Sequence, residues 1–198
     1  LAKALFSQFG VERGGMLLSR YGRGLPAAFE EEVPASEAAT DLARLDVSAQ
    51  HDSSTELRVL RPQTRTAKTL HVRLYRHGEP RAVSDLVSTF ENLGLRLLSE
   101  RPYEIGVADG GHCHIQSFEL ELQGGAAVRD EADAKRLSDA LVAIWENRCD
   151  NDGFNRLVLA ATVDWRLAMV IRAYCRWLLQ TGIPYSRPYM EQVLAVSY

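Results

Sequence analysis

Five short stretches of this 198-residue sequence carry residue types that could do chemistry. Gly22-Arg23-Gly24-Leu25-Pro26-Ala27 has the letters of a phosphate-binding turn, G-x-G-x-x-A. That chemistry needs a strand before the turn and a helix N-terminus after it, whereas here a helical pattern precedes it, so the glycines read as a helix stop. His112-Cys113-His114 offers three metal-ligand types in a row. On a strand the two histidines share one face and Cys113 points to the other, so at most two converge. Asp150-Asn151-Asp152-Gly153 opens like a calcium loop but lacks the rest of the twelve-residue pattern, and reads as a turn. Glu30-Glu31-Glu32 reads as a solvated acidic helix end. The fifth stretch, Arg76-His77-Gly78-Glu79-Pro80 leading to a helix at Ser84, is the strongest. Free backbone N–H groups and the helix dipole there could hold a carboxylate, which makes Gly78, Ser84 and Asp85 the candidate effector contacts. Asp85 would oppose an anion, and Ser84 and Asp85 also make sense as cap and dipole partner. No nucleophile comes with a recognisable histidine partner. The sequence therefore assigns no catalytic residue, no metal site and no cofactor site.

The elements around these stretches follow from hydrophobic period. Residues 1–50 read as helices broken by glycine and proline: Leu1–Phe9 stopped near Gly10, Val11–Tyr21 weakened by Gly14-Gly15, a short turn from Pro26, and Ala35–Leu45. His51-Asp52-Ser53-Ser54 is a polar turn or linker. The period then changes to two, giving strands over 55–62 and 69–76 around a polar hairpin loop, Gln63–Lys68. Helix Ser84–Leu93 follows, with Ser84 as N-cap and Gly94 as a left-handed stop. If that cap holds, Ser84→Ala costs about 1 kcal/mol. Strands Leu95–Ile105 and His112–Leu122 join across Asp109-Gly110-Gly111, a hairpin signal. Asp130 caps helix Glu131–Asn147, with Ala134, Leu137, Leu141, Ile144 and Trp145 on its buried face. Asn155–Ala161, Trp165–Thr181 capped by Asp164, and Pro188–Val196 opened by Ser186 complete the chain.

This order predicts an α+β fold: a ferredoxin-like antiparallel four-stranded sheet in permuted order, covered by two helices and flanked by N- and C-terminal helical segments. The first strand pairs with the second and takes the slot of the missing fourth. Three parts follow, 1–50 helical, 55–147 the α+β domain and 150–198 helical.

Composition is that of a soluble globular chain, with 46% hydrophobic and 25% charged residues and a net charge of −3. That balance argues against a nucleic-acid or anionic-membrane partner, and the acidic Phe118-Glu119-Leu120-Glu121-Leu122 argues against an RNA-binding sheet. Cys113, Cys149 and Cys175 lack motif spacing and read as reduced thiols of a cytoplasmic protein. No apolar run reaches the roughly 18 residues of a membrane span. Leu1–Phe6 reads as helix interior, as if the chain were part of something longer.

Several segments together resemble the large bacterial NAD-specific glutamate dehydrogenases: Phe9–Gly14, Leu25-Pro26, Asp41-Leu42, Glu91–Leu95, Glu100–Tyr103, Asp152–Leu159 and Tyr174–Ile183. The resemblance implies an ACT-like module over 55–147 and a helical segment leading toward a catalytic part outside these residues. It also implies a parent that deaminates L-glutamate to 2-oxoglutarate with NAD⁺, in an oligomeric enzyme. None of that enzyme's catalytic motifs falls on these positions, so this region alone is expected to be inactive and to hold no NAD. Two roles compete: a scaffold contacting other domains and protomers, or an amino-acid sensor at Gly78, Ser84 and Asp85. The helix at 165–181 favours the scaffold. Trp165, Ala168, Met169 and Leu179 line one side and Leu167, Val170, Ile171, Tyr174 and Leu178 another, more apolar surface than one core needs. Trp165, Met169, Ile171, Tyr174 and Leu178 are the candidate interdomain contacts.

Overall fold

The computed structural model describes residues 1–50, 55–61 and 68–196. The expected turn at 51–54 and all of the expected loop 63–68 except Lys68 lie outside the described residues. The elements run α1 (Ala2–Tyr21), α2 (Ala27–Glu32), α3 (Ala35–Gln50), β1 (Glu56–Leu60), β2 (Thr69–His77), α4 (Val83–Asn92), β3 (Leu95–Gly106), β4 (His112–Leu122) and α5 (Glu131–Trp145). A 3-10 turn (Gly153–Arg156), α6 (Leu157–Ala160), α7 (Trp165–Gln180) and α8 (Arg187–Val196) follow. The sheet has the order β1-β2-β4-β3. That is the permuted ferredoxin-like arrangement, with β1 beside β2 where the fourth strand would lie. Pro102 falls within β3, which an edge strand tolerates because one row of its N–H groups has no ladder partner.

The chain forms two compact units, Leu1–Leu57 with Arg73–Pro80 and Glu100–Ser117, and Arg58–Val72 with Arg81–Ser99 and Phe118–Tyr198. In the first, Leu5, Leu17, Tyr21, Phe29, Leu42 and Leu45 pack with Tyr75, Ile105 and Ile115 of the strands. The expected break at Gly10 is present: its φ of 77° and ψ of 174° lie outside the helical region and divide α1 into two helical halves. The two halves of α1 then fold together so closely that a Cβ on Gly14 would lie 2.9 Å from the Leu5 backbone. Gly14 thus permits a contact and is not merely a weak point. Gly24 has a comparable reason: its carbonyl accepts from Gly106 N at 3.0 Å, and a Cβ there would sit 2.0 Å from the Gly106 oxygen. The G-x-G-x-x-A letters mark a backbone crossing.

A buried polar network also holds this unit. Tyr75 donates its hydroxyl to Asp41 at 2.6 Å, and Arg73 reaches Asp41 and Glu37. Asp41 is fully buried, and its carboxylate is met by a cation and a hydroxyl, as a charge out of water requires. Glu32 is more than a solvated helix end: Tyr103 donates to it at 2.6 Å and Arg101 pairs with it. The Tyr103 and Arg101 hydrogen bonds lower its pKa. Cys113 is buried against Ile105, and burial pushes its thiol pKa up to about 12.

In the second unit, Leu70 and Val72 of β2 and Phe118 and Leu120 of β4 are buried, as are Leu86 and Phe90 of α4 and Leu137, Leu141 and Trp145 of α5. Phe90 meets Phe118 and Trp145 with ring centroids 5.4 and 6.0 Å apart. Asp130 caps α5 by accepting from Asp133 N at 2.8 Å, and Gly94 closes α4 in the left-handed region. Ser84, however, is not the cap of α4. Ala82 precedes the first helical residue, the first turn closes on the Ala82 carbonyl, and Ser84 Oγ lies 3.2 Å from Asp85 Oδ1. Ser and Asp suit the first turn as well as the cap, because both compensate exposed N–H groups.

Three substitutions test this account in urea unfolding. Gly24→Ala is expected to destabilise by about 2 kcal/mol or more, since backbone must move. Gly15→Ala, with open space around its Cβ position, is expected to stabilise by about 0.5–1 kcal/mol. Ser84→Ala should now stay within about 0.5 kcal/mol of zero.

Candidate functional site

Helix α7 is apolar on two opposite sides, and the arrangement that sets its rotation is a buried arginine. Asp164 caps it, accepting from Leu167 N at 2.7 Å, and Gly182 at φ 80° ends it. Trp165, Ala168, Arg172 and Cys175 turn inward. These positions recur at i, i+3, i+7 and i+10, one helical face. Only 3% of the Arg172 side chain is exposed, so its charge must be met locally. Asp152 takes it at two points, Nε to Oδ2 at 2.7 Å and Nη2 to Oδ1 at 2.8 Å. Nη2 also donates to Asn155 Oδ1 at 2.8 Å and to the Asp150 carbonyl at 3.2 Å. Burial works against the Arg172 charge, but hydrogen bonding to Asp152 and its charge more than offset this, and the pKa stands above the ordinary arginine value.

The Asp152-Gly153-Phe154-Asn155 run is therefore a clamp and not a cation loop. Asp152 caps the 3-10 turn through Phe154 N and also holds Arg187 of α8. Arg187 continues to Glu191 at 2.9 Å, and Gly153 leaves the room Glu191 occupies. Phe154, Leu157 and Cys175 form the small core beneath, with Ile171, Met190 and Leu194 against it. Beside the clamp lies a cleft of about 430 Å³, lined by Arg148, Asp150, Arg172, Arg176 and Trp177 among others. Arg176 pairs with Asp150 at 2.7 Å, both about half exposed.

The outer side of α7 carries Leu167, Val170, Tyr174, Trp177 and Leu178, all exposed, with Tyr174 at 66% and Trp177 at 59%. Of the residues expected at interdomain contacts, Met169, Tyr174 and Leu178 face solvent, Trp165 is buried, and Ile171 packs on the small core. Trp177 belongs to the same row although the sequence reading left it out; its spacing of three from Tyr174 is the signal. Of the expected effector residues, Gly78 lies in the first compact unit, with its carbonyl 2.7 Å from His114 Nδ1. Ser84 and Asp85 lie in the second. The histidines of 112–114 go separate ways, His112 to Glu104 at 3.0 Å and His114 to Gly78. Among the described residues, no group of three His, Cys, Asp or Glu side chains could hold a metal ion, and no helix is long and apolar enough to cross a membrane.

An open four-stranded sheet of this order, with helices before and after it, defines an ACT-like α+β region flanked by helical segments. Family models agree: the glutamate dehydrogenase ACT3 domain matches residues 54–134, and glutamate dehydrogenase helical motifs 2 and 3 match 4–47 and 149–197. The chain belongs to the glutamate dehydrogenase family, in the region that carries these three parts. It is 31% identical over 194 residues to an NAD-specific glutamate dehydrogenase of Halomonas elongata and 32% over 185 to that of Pseudomonas aeruginosa. These alignments cover 98% and 93% of this chain but only 12% and 11% of the relatives. A 123-residue match to the NAD-specific glutamate dehydrogenase of Mycobacterium tuberculosis is 35% identical, covering 59% of this chain and 8% of the relative.

Arg172→Ala is expected to cost about 3 kcal/mol in urea unfolding, the low end for a broken buried pair because Arg187 still meets Asp152. Arg172→Lys should recover little, having no planar fork. Arg176→Ala, which breaks a half-exposed pair, should cost under about 1 kcal/mol.

Proposed function

We propose that this chain is a non-catalytic scaffold and regulatory region of an NAD-specific glutamate dehydrogenase, and that the outer side of α7 is the surface by which it contacts other domains or protomers. The parent enzyme deaminates L-glutamate to 2-oxoglutarate, with NAD⁺ bound outside this chain as hydride acceptor, in the cytoplasm. Residues 55–147 act as its ACT-like module and 150–198 lead toward the catalytic part. The observation that carries this reading is the row Leu167, Val170, Tyr174, Trp177 and Leu178, which lies exposed although the same helix buries another apolar side. A contiguous apolar row on a soluble protein marks an interaction surface. The names of the relatives supply the parent reaction, and their greater length leaves room for the covering element.

The alternative, an amino-acid sensor at Gly78, Ser84 and Asp85, has less support. The Gly78 carbonyl and the Ser84 hydroxyl already have neighbours in hydrogen-bond range, and Asp85 supplies negative charge to the first turn of α4.

The test is Val170→Asp made twice. In the 198-residue chain the unfolding midpoint is expected to move by no more than about 1–2 °C, as for a surface change. In the full-length dehydrogenase the same substitution should lower thermal stability or break the assembly. An unchanged full-length enzyme would refute the docking role, and glutamate-dependent NAD⁺ reduction by the 198-residue chain alone would refute its non-catalytic assignment.

A further inference from the structure

The outer row of α7 has a period that selects its partner. Leu167, Val170, Tyr174 and Trp177 recur at i, i+3, i+7 and i+10, the seam along which one helix takes another. The row spans about 15 Å, or nearly three turns. Its charge is one-sided. Between Trp165 and Gln180 the charged residues are Arg166, Arg172 and Arg176, with no carboxylate. Trp177 ends the row and also lines the cleft that holds Arg148, Arg172 and Arg176 against the single carboxylate of Asp150. Arg172 is committed to Asp152. Arg148 pairs with Glu146 and Arg176 with Asp150 at about half exposure, the kind of surface pair that exchanges partners at little cost. Arg166 stacks over Trp165 at 4.4 Å and is exposed.

Resting on the docking role proposed above, we infer that the partner is an amphipathic helix with an apolar seam and acidic side chains along one flank. It is supplied by the parent enzyme outside this chain, which covers only 12% of its Halomonas elongata relative. The seam residues fill the row, and the acidic flank meets Arg166 and the arginines of the cleft. A second copy of α7 would instead set arginine against arginine across the seam, which disfavours that pairing.

Two synthetic helical peptides test this. They share leucines at the seam positions, lack tryptophan, and differ only in glutamate or lysine on the flank. Trp145 and Trp165 are buried and Trp177 is exposed, so a blue shift of tryptophan emission reports cover over the row. The glutamate peptide is expected to bind at least about ten-fold more tightly at low salt, with the gap narrowing as salt is added. Val170→Glu or Tyr174→Glu, each checked for an unchanged unfolding midpoint, should abolish binding. Arg166→Glu combined with Arg176→Glu should reverse the preference. Equal binding of the two peptides would overturn the acidic partner and leave the docking role standing. No blue shift with either would overturn both. Self-association in sedimentation that Val170→Glu abolishes would make a second copy the occupant and overturn the inference.

Discussion

A guanidinium held out of water needs an opposite charge and hydrogen-bond acceptors, and Asp152 meets Arg172 at two points at the centre of the C-terminal helices. The pair does more than neutralise a charge. Because Arg172 is anchored, α7 cannot rotate about its axis without taking a buried guanidinium away from its acceptors, so the inward row of Trp165, Ala168, Arg172 and Cys175 is fixed. The opposite row is then fixed outward. Arg187 on the same carboxylate brings α8 into the arrangement, and Asn155 and the Asp150 carbonyl complete the acceptors around the arginine. A buried ion pair is weak evidence for stability by itself. Its value here is specificity, a single orientation for a helix that is apolar on two sides.

The N-terminal unit uses a related device. Asp41 on α3 receives Arg73 and Tyr75 from β2, and Glu32 at the end of α2 receives Arg101 and Tyr103 from β3. In each case an arginine and a tyrosine two residues apart share a strand face, so both reach one carboxylate on a helix. Apolar packing alone would allow helices to slide over a sheet. Paired polar contacts of this kind select one register.

How much of this was legible in the sequence depended on range. β2, β3 and β4 and the helices α5 and α7 follow from local period, and Asp130 and Asp164 act as caps three residues from their partners. The permuted sheet order followed from a missing strand and an extra one. The polar networks join residues 17 to 71 positions apart, and nothing local announces them. Arg172 left one trace, a charge on the same helical face as Trp165, Ala168 and Cys175. Arg73 left another, a charge within the apolar alternation of β2. Ser84 looks like a cap in the sequence because its residue type fits the cap and the first turn equally. Gly14 and Gly24 look like interruptions in the sequence because close backbone approach is a tertiary fact. On α7 the excess of apolar surface was plain, but which side faced inward waited on Arg172.

Hydroxyl-radical footprinting of the 198-residue chain beside the full-length dehydrogenase tests the central claim most directly, reading Trp165, Tyr174 and Trp177 side by side. The account expects Tyr174 and Trp177 to be oxidised in the isolated chain and protected in the full-length enzyme, with Trp165 protected in both. Equal reactivity of Tyr174 and Trp177 in the two proteins would contradict it.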